Sequence, residues 1–216
     1  MAEAEKVLST ARGELGVGES PANSNRVKYN TWFYGRAVSG SAYPWCMAFV
    51  QWVFDRAGAA ALLPARTASC GALMRAAQKA GLWVTGDYRP GDVVIYSFSG
   101  GGTTDHTGIV EQAGRTGVTA IEGNTSEAGS QSDGGRVCRK TRPYSQIVGA
   151  VRPNYQKEAN RMDNVPGPAH REGVEWAVKQ GILTGDARGD LMLNRPVTRQ
   201  QLCTMLFRLA RKLGKA

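Results

Sequence analysis

The hydrophobic periodicity of this 216-residue chain changes from helical to extended at about residue 90. Before that point, apolar residues recur at helical spacing in residues 3–15, 43–58 and 69–80, and the second of these segments predicts a buried helix that begins close to Cys46. After it come short β-branched runs separated by turn residues: DVVIYSF, HTGIVEQ, GVTAIEG, RVCRKTR and IVGAVRP. This order predicts an α+β fold in which N-terminal helices pack on an antiparallel sheet that ends near Pro153.

The length of the chain predicts a second, smaller domain. Domains commonly contain about 100 to 150 residues, and the stretch that follows Pro153 is polar and lacks periodicity. We therefore predict a first domain at residues 1–153, a linker at 154–162 and a small helical domain at 163–216. In the last segment, the run TRQQ matches a capping box, with Thr198 as the N-cap and Gln201 as its partner.

The charge, the apolar stretches and the cysteine spacing of the chain limit the partners and sites that we expect. The net charge of +9 favours anionic partners, but the basic residues form no dense run or nucleic-acid-binding motif, so we expect no nucleic-acid partner. No stretch approaches the length of about 20 apolar residues that spans a bilayer. The N-terminus lacks an apolar signal region, so we expect synthesis in the cytoplasm without a signal peptide. The four cysteines are scattered, which argues against a zinc site or a disulfide scaffold.

A cysteine and a histidine are the strongest catalytic candidates. Cys46 lies at the predicted start of a helix, where a thiol ionises more readily, and His106 opens a predicted strand. Glu122 and Asn124 follow at alternate positions of the next strand, and either one can orient the imidazole. Each residue also has a structural alternative: a buried thiol, a hydrogen-bonding histidine or a turn. The spacing alone does not decide between these interpretations.

The segments YPWCMAFVQWVF, DHTGIV and AIEGNT, in this order, resemble the CHAP family of cysteine, histidine-dependent amidohydrolases and peptidases. The resemblance spans about residues 3–153 and implies a papain-like fold. It also implies that Cys46 is the nucleophile, His106 the base, and Glu122 and Asn124 the orienting groups. The expected activity is hydrolysis of an amide bond in peptidoglycan by an endolysin that reaches the wall after release. N-acetylmuramoyl-L-alanine amidase is the first expectation, and an endopeptidase or a non-catalytic wall-binding protein are the alternatives.

The segment before Cys46 bears on metal and substrate binding. Some CHAP domains bind calcium through an Asp-rich loop before the cysteine, but the stretch ESPANSNRVKYNTW in this chain contains no Asp. We therefore expect no required metal or other cofactor, and a structural calcium ion is not supported. The approach to Cys46 is rich in aromatic residues, and we predict that Tyr43 and Trp45 line the substrate groove, where aromatic rings stack on sugars.

Residues 163–213 resemble a single S-layer homology repeat, through a W-A helix, a G-I-x-x-G turn and a P-x-T-R helix start. The resemblance implies binding to an anionic secondary cell-wall polymer, with Trp176, Gly185 and Arg199 as the candidate contacts. Where the family usually has Glu, this chain has Gln201, which weakens that assignment. The alternative is that Trp176 packs in a helix-pair core and Arg199 is a solvated residue.

A module of this size buries little apolar surface alone, so we expect it to self-associate. Lys157 and Glu158 can be encoded by a ribosome-binding sequence placed upstream of Met162. This coincidence suggests a hypothesis in which an internally translated copy, starting at Met162, assembles with the full-length chain.

Overall fold

The structure is a computed structural model that describes residues 3–127, 135–155, 164–187, 189–194 and 197–214. The chain divides into two compact units, Met1–Ala159 and Asn160–Ala216. The division lies within the linker predicted at 154–162. Met162, the hypothetical internal start, lies outside the described residues.

Helices form the first part of the first unit. They are α1 (Glu3–Arg12), α2 (Lys28–Tyr34), α3 (Cys46–Arg56) and α4 (Cys70–Lys79). The predicted start of a helix near Cys46 is confirmed, and eight of the eleven residues of α3 are buried. At the start of α4, the amide of Ala72 donates a hydrogen bond to the Ser69 hydroxyl, which caps the helix. The short helix α2 was not predicted.

A six-stranded sheet follows the helices, with the spatial order β1-β6-β2-β3-β4-β5. Its strands are β1 (Trp83–Val84), β2 (Val93–Tyr96), β3 (His106–Ala113), β4 (Gly117–Thr125), β5 (Arg136–Pro143) and β6 (Ile147–Val151). Every neighbouring pair is antiparallel. The predicted α+β class is therefore confirmed, and each predicted β-branched run contains a strand. The strand β1 was not predicted, because two residues are too few to show an alternating pattern.

The helix α3 packs tightly on the sheet. Phe49 and Val50 of α3 share one buried core with Ile109 of β3 and Ile121 of β4. A Cβ atom at Gly123 would lie 2.7 Å from the Cβ of Phe49, so the backbone of β4 approaches the helix more closely than any larger residue would permit. This close contact fixes the N-terminal end of α3 relative to β4.

The first unit extends beyond the boundary predicted at Pro153. The Tyr155 hydroxyl donates a hydrogen bond of 2.8 Å to the carbonyl of Gly91, and its ring packs against the main core. Tyr155 therefore belongs to the packed unit and not to a linker.

The second unit contains helices α5 (Arg171–Lys179) and α6 (Arg199–Lys212). The predicted capping box of α6 is confirmed: the Gln201 amide donates to the Thr198 hydroxyl, and the Thr198 amide donates to the Gln201 side chain. Among the described residues of this unit, Ile182 is the one buried large apolar side chain. Within the described part of the chain, no helix is both long and apolar enough to cross a membrane.

Candidate active site

Cys46 is the first residue of α3. The carbonyl of Trp45 accepts a hydrogen bond of 2.9 Å from the amide of Phe49, so the helix begins at Cys46. The Cys46 side chain is almost buried, with 7% exposure, and its sulfur interacts with the backbone amide of Met47. The free amides at this end of a helix favour negative charge, so the position favours a thiolate.

His106 and Glu122 form a buried pair beside the cysteine. The Nε2 atom of His106 lies 3.0 Å from Oε2 of Glu122, and both side chains are fully buried. Because Glu122 engages Nε2, Nδ1 is the ring nitrogen that remains for proton exchange with Cys46. Nδ1 is buried and has no hydrogen-bond partner among the described residues. Burial opposes ionisation of the ring, but the neighbouring Cys46 and the hydrogen-bonded Glu122, together with their charges, raise the pKa of His106 to about 9.

The environment of Cys46 favours its thiolate. The neighbouring Cys70 thiol makes the largest contribution to lowering the pKa of Cys46, and the neighbouring His106, through its interaction and its charge, lowers it further. Burial acts in the opposite direction but does not outweigh them, so the pKa lies well below the ordinary thiol value. The site therefore favours a thiolate and an imidazolium side by side.

Arg142 completes the buried network, and the sequence analysis missed it. Its guanidinium donates to both carboxylate oxygens of Glu122, with distances of 3.0 and 3.2 Å from Nε and 2.6 Å from Nη2. Burial alone would raise the pKa of Glu122, but hydrogen bonds from His106 and Arg142 outweigh it and lower the pKa. Glu122 therefore stays ionised and holds His106 through its charge. Arg142 lies in the basic run RVCRKTR, which is typical of an exposed strand, and its burial was not visible in that pattern.

Gly108 makes room for this network. A Cβ atom at this position would lie 2.7 Å from Cγ of Glu122. A residue with a side chain would therefore displace Glu122 from His106. The glycine in the motif DHTGIV has a packing role that the motif alone does not explain.

Glu122, and not Asn124, is the residue that contacts His106. The pairing of β4 with β5 is irregular between Glu122 and Thr125, and Asn124 adopts a left-handed conformation with φ of 57°. This irregularity interrupts the simple alternation from which we expected both side chains on one face. The Oδ1 atom of Asn124 is buried and has no hydrogen-bond partner among the described residues.

Trp45 does not line a groove, so its predicted contact with substrate is wrong. The side chain is fully buried, its indole N–H donates a 2.8 Å hydrogen bond to Glu19, and its ring stacks on Tyr29. The indole fills the core beside α3 because its one polar group has a partner there. Tyr43 is half-buried and packs edge-on against Tyr34, with ring centroids 5.2 Å apart.

Phe98 is an exposed aromatic residue beside the catalytic candidates that the sequence analysis did not identify. Its side chain is 38% exposed, and its ring centroid lies 5.8 Å from that of His106. The Arg142 guanidinium lies over the Phe98 ring, 4.7 Å from its centroid. Asp105 holds the local backbone by accepting hydrogen bonds from the amides of Phe98 and Ser99.

The candidate wall contacts of the second unit do not share a groove. Trp176 on α5 is 51% exposed and Arg199 at the start of α6 is also exposed. Gly185 packs against the backbone, since a Cβ atom there would lie 2.6 Å from the carbonyl carbon of Gly189. A groove of about 700 Å³ in this unit includes none of these three residues. Its lining includes Leu183, Leu193, Gln201 and Arg208.

Within the ranges that the structure describes, no group of three or more His, Cys, Asp or Glu side chains is arranged to hold a metal ion.

The pH dependence of Cys46 alkylation tests the interaction of Cys46 with His106. In the wild type, we expect iodoacetamide to react with Cys46 well below the ordinary thiol range, because the thiolate is stabilised there. In His106→Gln, the midpoint of the rate profile should move to higher pH, since the positive charge is lost. Peptide mapping by mass spectrometry measures both rates.

Cys138 is the internal control in the same digests. Burial raises the pKa of this thiol, so its reaction should require alkaline pH in both proteins. An unchanged midpoint for Cys46 in His106→Gln would show that the histidine does not stabilise the thiolate.

Part of the first unit matches the model of a known protein family. Residues 38–124 match the model of the CHAP domain. This range contains Cys46, His106, Glu122 and Asn124. No curated protein matches the chain significantly.

Among solved structures, the chain is similar to Ly7917, which has been crystallised with the hydrolysing product of MDP. The identity is 17% and the TM-score 0.40, over 69% of this chain and 62% of Ly7917. It is also similar to the wild-type endolysin LysIME-EF1, with 17% identity and a TM-score of 0.41 over 83% of this chain and 86% of the endolysin. The chain thus spans less than two thirds of Ly7917.

Proposed function

We propose that this protein is an endolysin-type peptidoglycan hydrolase that cuts an amide bond with Cys46 as its nucleophile. The observation that carries the proposal is the buried contact of His106 with Glu122, 3.0 Å long, beside a thiol at a helix N-terminus. The CHAP match over residues 38–124 supports the same chemistry. Isolated buried cysteines have no need of an ionised carboxylate and an imidazole in this arrangement.

The reaction begins with attack of the Cys46 thiolate on the carbonyl carbon of the amide. In the proposed reaction, backbone amides at the start of α3, among them that of Met47, stabilise the negative oxygen that develops. His106 then donates its proton to the leaving amine, and an acyl-enzyme remains on Cys46. A water molecule, deprotonated by His106, releases the acid and restores the thiol. Through its negative charge and its hydrogen bond with Nε2, Glu122 stabilises the imidazolium form of His106 throughout.

We assign the N-acetylmuramoyl-L-alanine amide as the bond cut, making the protein an amidase. In this substrate, a sugar lies next to the scissile amide. The exposed ring of Phe98, 5.8 Å from His106, is suited to stack on a sugar face. Tyr43, which is half-buried, remains a candidate for contact with more distant parts of the substrate.

Mass spectrometry of fragments released from purified Gram-positive peptidoglycan tests this assignment. Intact stem peptides with a free L-alanine amino group would support the amidase. Fragments with new termini inside the stem or cross-bridge would identify an endopeptidase instead. If neither appears on several wall types while the protein still binds them, the protein is a non-catalytic wall-binding protein.

For the second unit, we propose a wall-binding module that recognises an anionic secondary polymer and associates with a second copy of itself. Exposed Trp176 and Arg199 supply an aromatic surface and a cation for the polymer. Self-association is supported by the apolar side chains left exposed on α6 and around it. They are Val197, Leu202, Leu206, Phe207 and Leu213.

A single charge introduced on this surface should separate the copies. In Phe207→Glu, we expect a lower molar mass by light scattering, because a 57%-exposed apolar side chain becomes a buried charge in the associated form. Loss of multivalency should then weaken binding of the full chain to walls by about 100-fold. Pelleting with purified walls measures this second effect.

Lys212→Gln is the matched control, since it changes the net charge equally at an exposed position of α6 that lies on a different face from Phe207. It should retain the wild-type mass and wall binding. A wild-type protein that is monomeric at every concentration would refute self-association.

A further inference from the structure

Cys70 is a second buried thiol in the candidate active site, and it takes part in no covalent step of the proposed mechanism. It is the first residue of α4 and is 6% exposed. The start of α4 is held next to the loop that precedes His106, because a Cβ atom on Gly71 would lie 3.0 Å from the Thr104 hydroxyl. Cys46 and Cys70 are thus each the first residue of a helix, and both side chains lie in one buried core.

The two side chains belong to the same buried core, each thiol shifts the pKa of the other, and both are free in the structure. Two sulfur atoms this close within packed helices are suited to covalent bonding on oxidation. Cys138 lies in β5 and Cys203 in the second unit, so each serves as a comparison thiol in the same chain.

We propose that Cys46 and Cys70 form a reversible redox switch, in which a peroxide oxidises Cys46 and Cys70 closes a disulfide with it. The disulfide occupies the sulfur that would attack the substrate, so the protein is inactive until a thiol reductant reopens it. The loss of hydrolysis rests on the proposed function, whereas formation of the disulfide does not.

The disulfide forms in two steps. First, the Cys46 thiolate attacks one oxygen of hydrogen peroxide; the O–O bond breaks, hydroxide leaves, and Cys46 becomes a sulfenic acid. Next, the Cys70 sulfur loses its proton and attacks the sulfur of Cys46. The S–O bond breaks, and the departing hydroxide takes up the proton as water. The two cysteines together lose two electrons, and peroxide is reduced to water.

The charge of Cys46 determines the order of these steps. While Cys46 is a thiolate, its interaction with Cys70 and its charge, together with burial, raise the pKa of Cys70 and keep it protonated. Conversion of Cys46 to a neutral sulfenic acid removes that negative charge. Cys70 then ionises more readily at the moment when its thiolate is needed.

The test is peptide mapping of the full chain after treatment with hydrogen peroxide and alkylation of the remaining thiols. Trypsin places the four cysteines on separate peptides: 37–56, 67–75, 137–139 and 200–208. We expect peptides 37–56 and 67–75 to become linked, with loss of wall hydrolysis, and dithiothreitol to restore both free peptides and nearly all activity. In Cys70→Ala, peroxide should convert Cys46 to sulfinic or sulfonic acid, and dithiothreitol should restore almost none of the activity.

Two outcomes would overturn the proposal. One is a wild type in which Cys46 is over-oxidised without any link to Cys70. The other is full recovery of Cys70→Ala by dithiothreitol. If Cys70→Ala does not fold, Cys70→Ser serves in its place, and the wild-type peptide map alone still decides whether the link forms. A linked peptide in a protein that never hydrolyses walls would support the thiol pair and refute the proposed hydrolase.

Discussion

Replacing Cys46 with alanine is expected to lower the rate of wall hydrolysis by at least about 10⁴-fold, because the group proposed to form the acyl-enzyme is removed. Binding to walls should be unchanged, since the proposed wall contacts lie in the second unit. Release of dye-labelled fragments from purified walls measures the rate, and pelleting measures the binding.

Cys138→Ala provides the matched control. This cysteine is as buried as Cys46, at 7% exposure, and lies on β5. Its removal should cost some stability but leave the rate per folded molecule near that of the wild type. If Cys46→Ala retains most of the wild-type rate and melts at a similar temperature, Cys46 is not the nucleophile.

Arg142→Met is expected to lower the free energy of unfolding by about 3–5 kcal/mol, because it leaves the Glu122 carboxylate buried without its strongest partner. Arg142 and Glu122 have side-chain exposures of 10% and 0%, so water screens their interaction little. The activity of the remaining folded protein should also fall, since the position of Glu122 determines that of His106. Urea denaturation and the wall assay measure the two effects.

The pH dependence of stability supplies a second measurement. The folded-state pKa of Glu122 is lowered, so its ionised form stabilises the fold above the ordinary carboxyl pKa, and that contribution is lost as the pH falls through the folded pKa. Arg142→Met should reduce this dependence. Arg142→Lys keeps the charge but not the two-pronged contact, and we expect an intermediate loss. Equal stability of Arg142→Met and wild type would show that the network contributes nothing to folding.

Sequence patterns predicted the parts of the fold that depend on local periodicity. The apolar stripe from Phe49 to Ala57 predicted α3, and β-branched runs predicted the strands, because both patterns report which face of an element is buried. Thr198 and Gln201 predicted the start of α6 because a capping box involves only neighbouring residues. The helix α2 was missed because its seven residues, KYNTWFY, show no clear apolar stripe.

Contacts between distant residues were beyond these patterns. Arg142 reaches Glu122 across 20 residues of sequence, through the register of β4 and β5. Trp45 was expected to lie in a groove because it precedes Cys46, but neighbouring residues at a helix start point in different directions. Its burial depends on Glu19 and Tyr29, which only the folded chain brings to it.

The choice between Glu122 and Asn124 shows the same limit. Alternation along a strand predicts a shared face only while the strand pairing stays regular. The irregular pairing after Glu122 could be read neither from the glycine between the two residues nor from their spacing. The proposed roles of Trp176, Gly185 and Arg199 rest on resemblance, and their positions in the second unit do not converge on its groove.

The most direct test of the central proposal is to titrate the reduced protein with iodoacetamide and compare the loss of wall hydrolysis with the alkylated fraction of each cysteine. Peptide mapping reports the four thiols separately, because they lie on different tryptic peptides. We predict that activity falls in direct proportion to alkylation of Cys46 and is independent of that of Cys138 and Cys203. A protein that is fully alkylated at Cys46 and still hydrolyses walls would contradict the proposal.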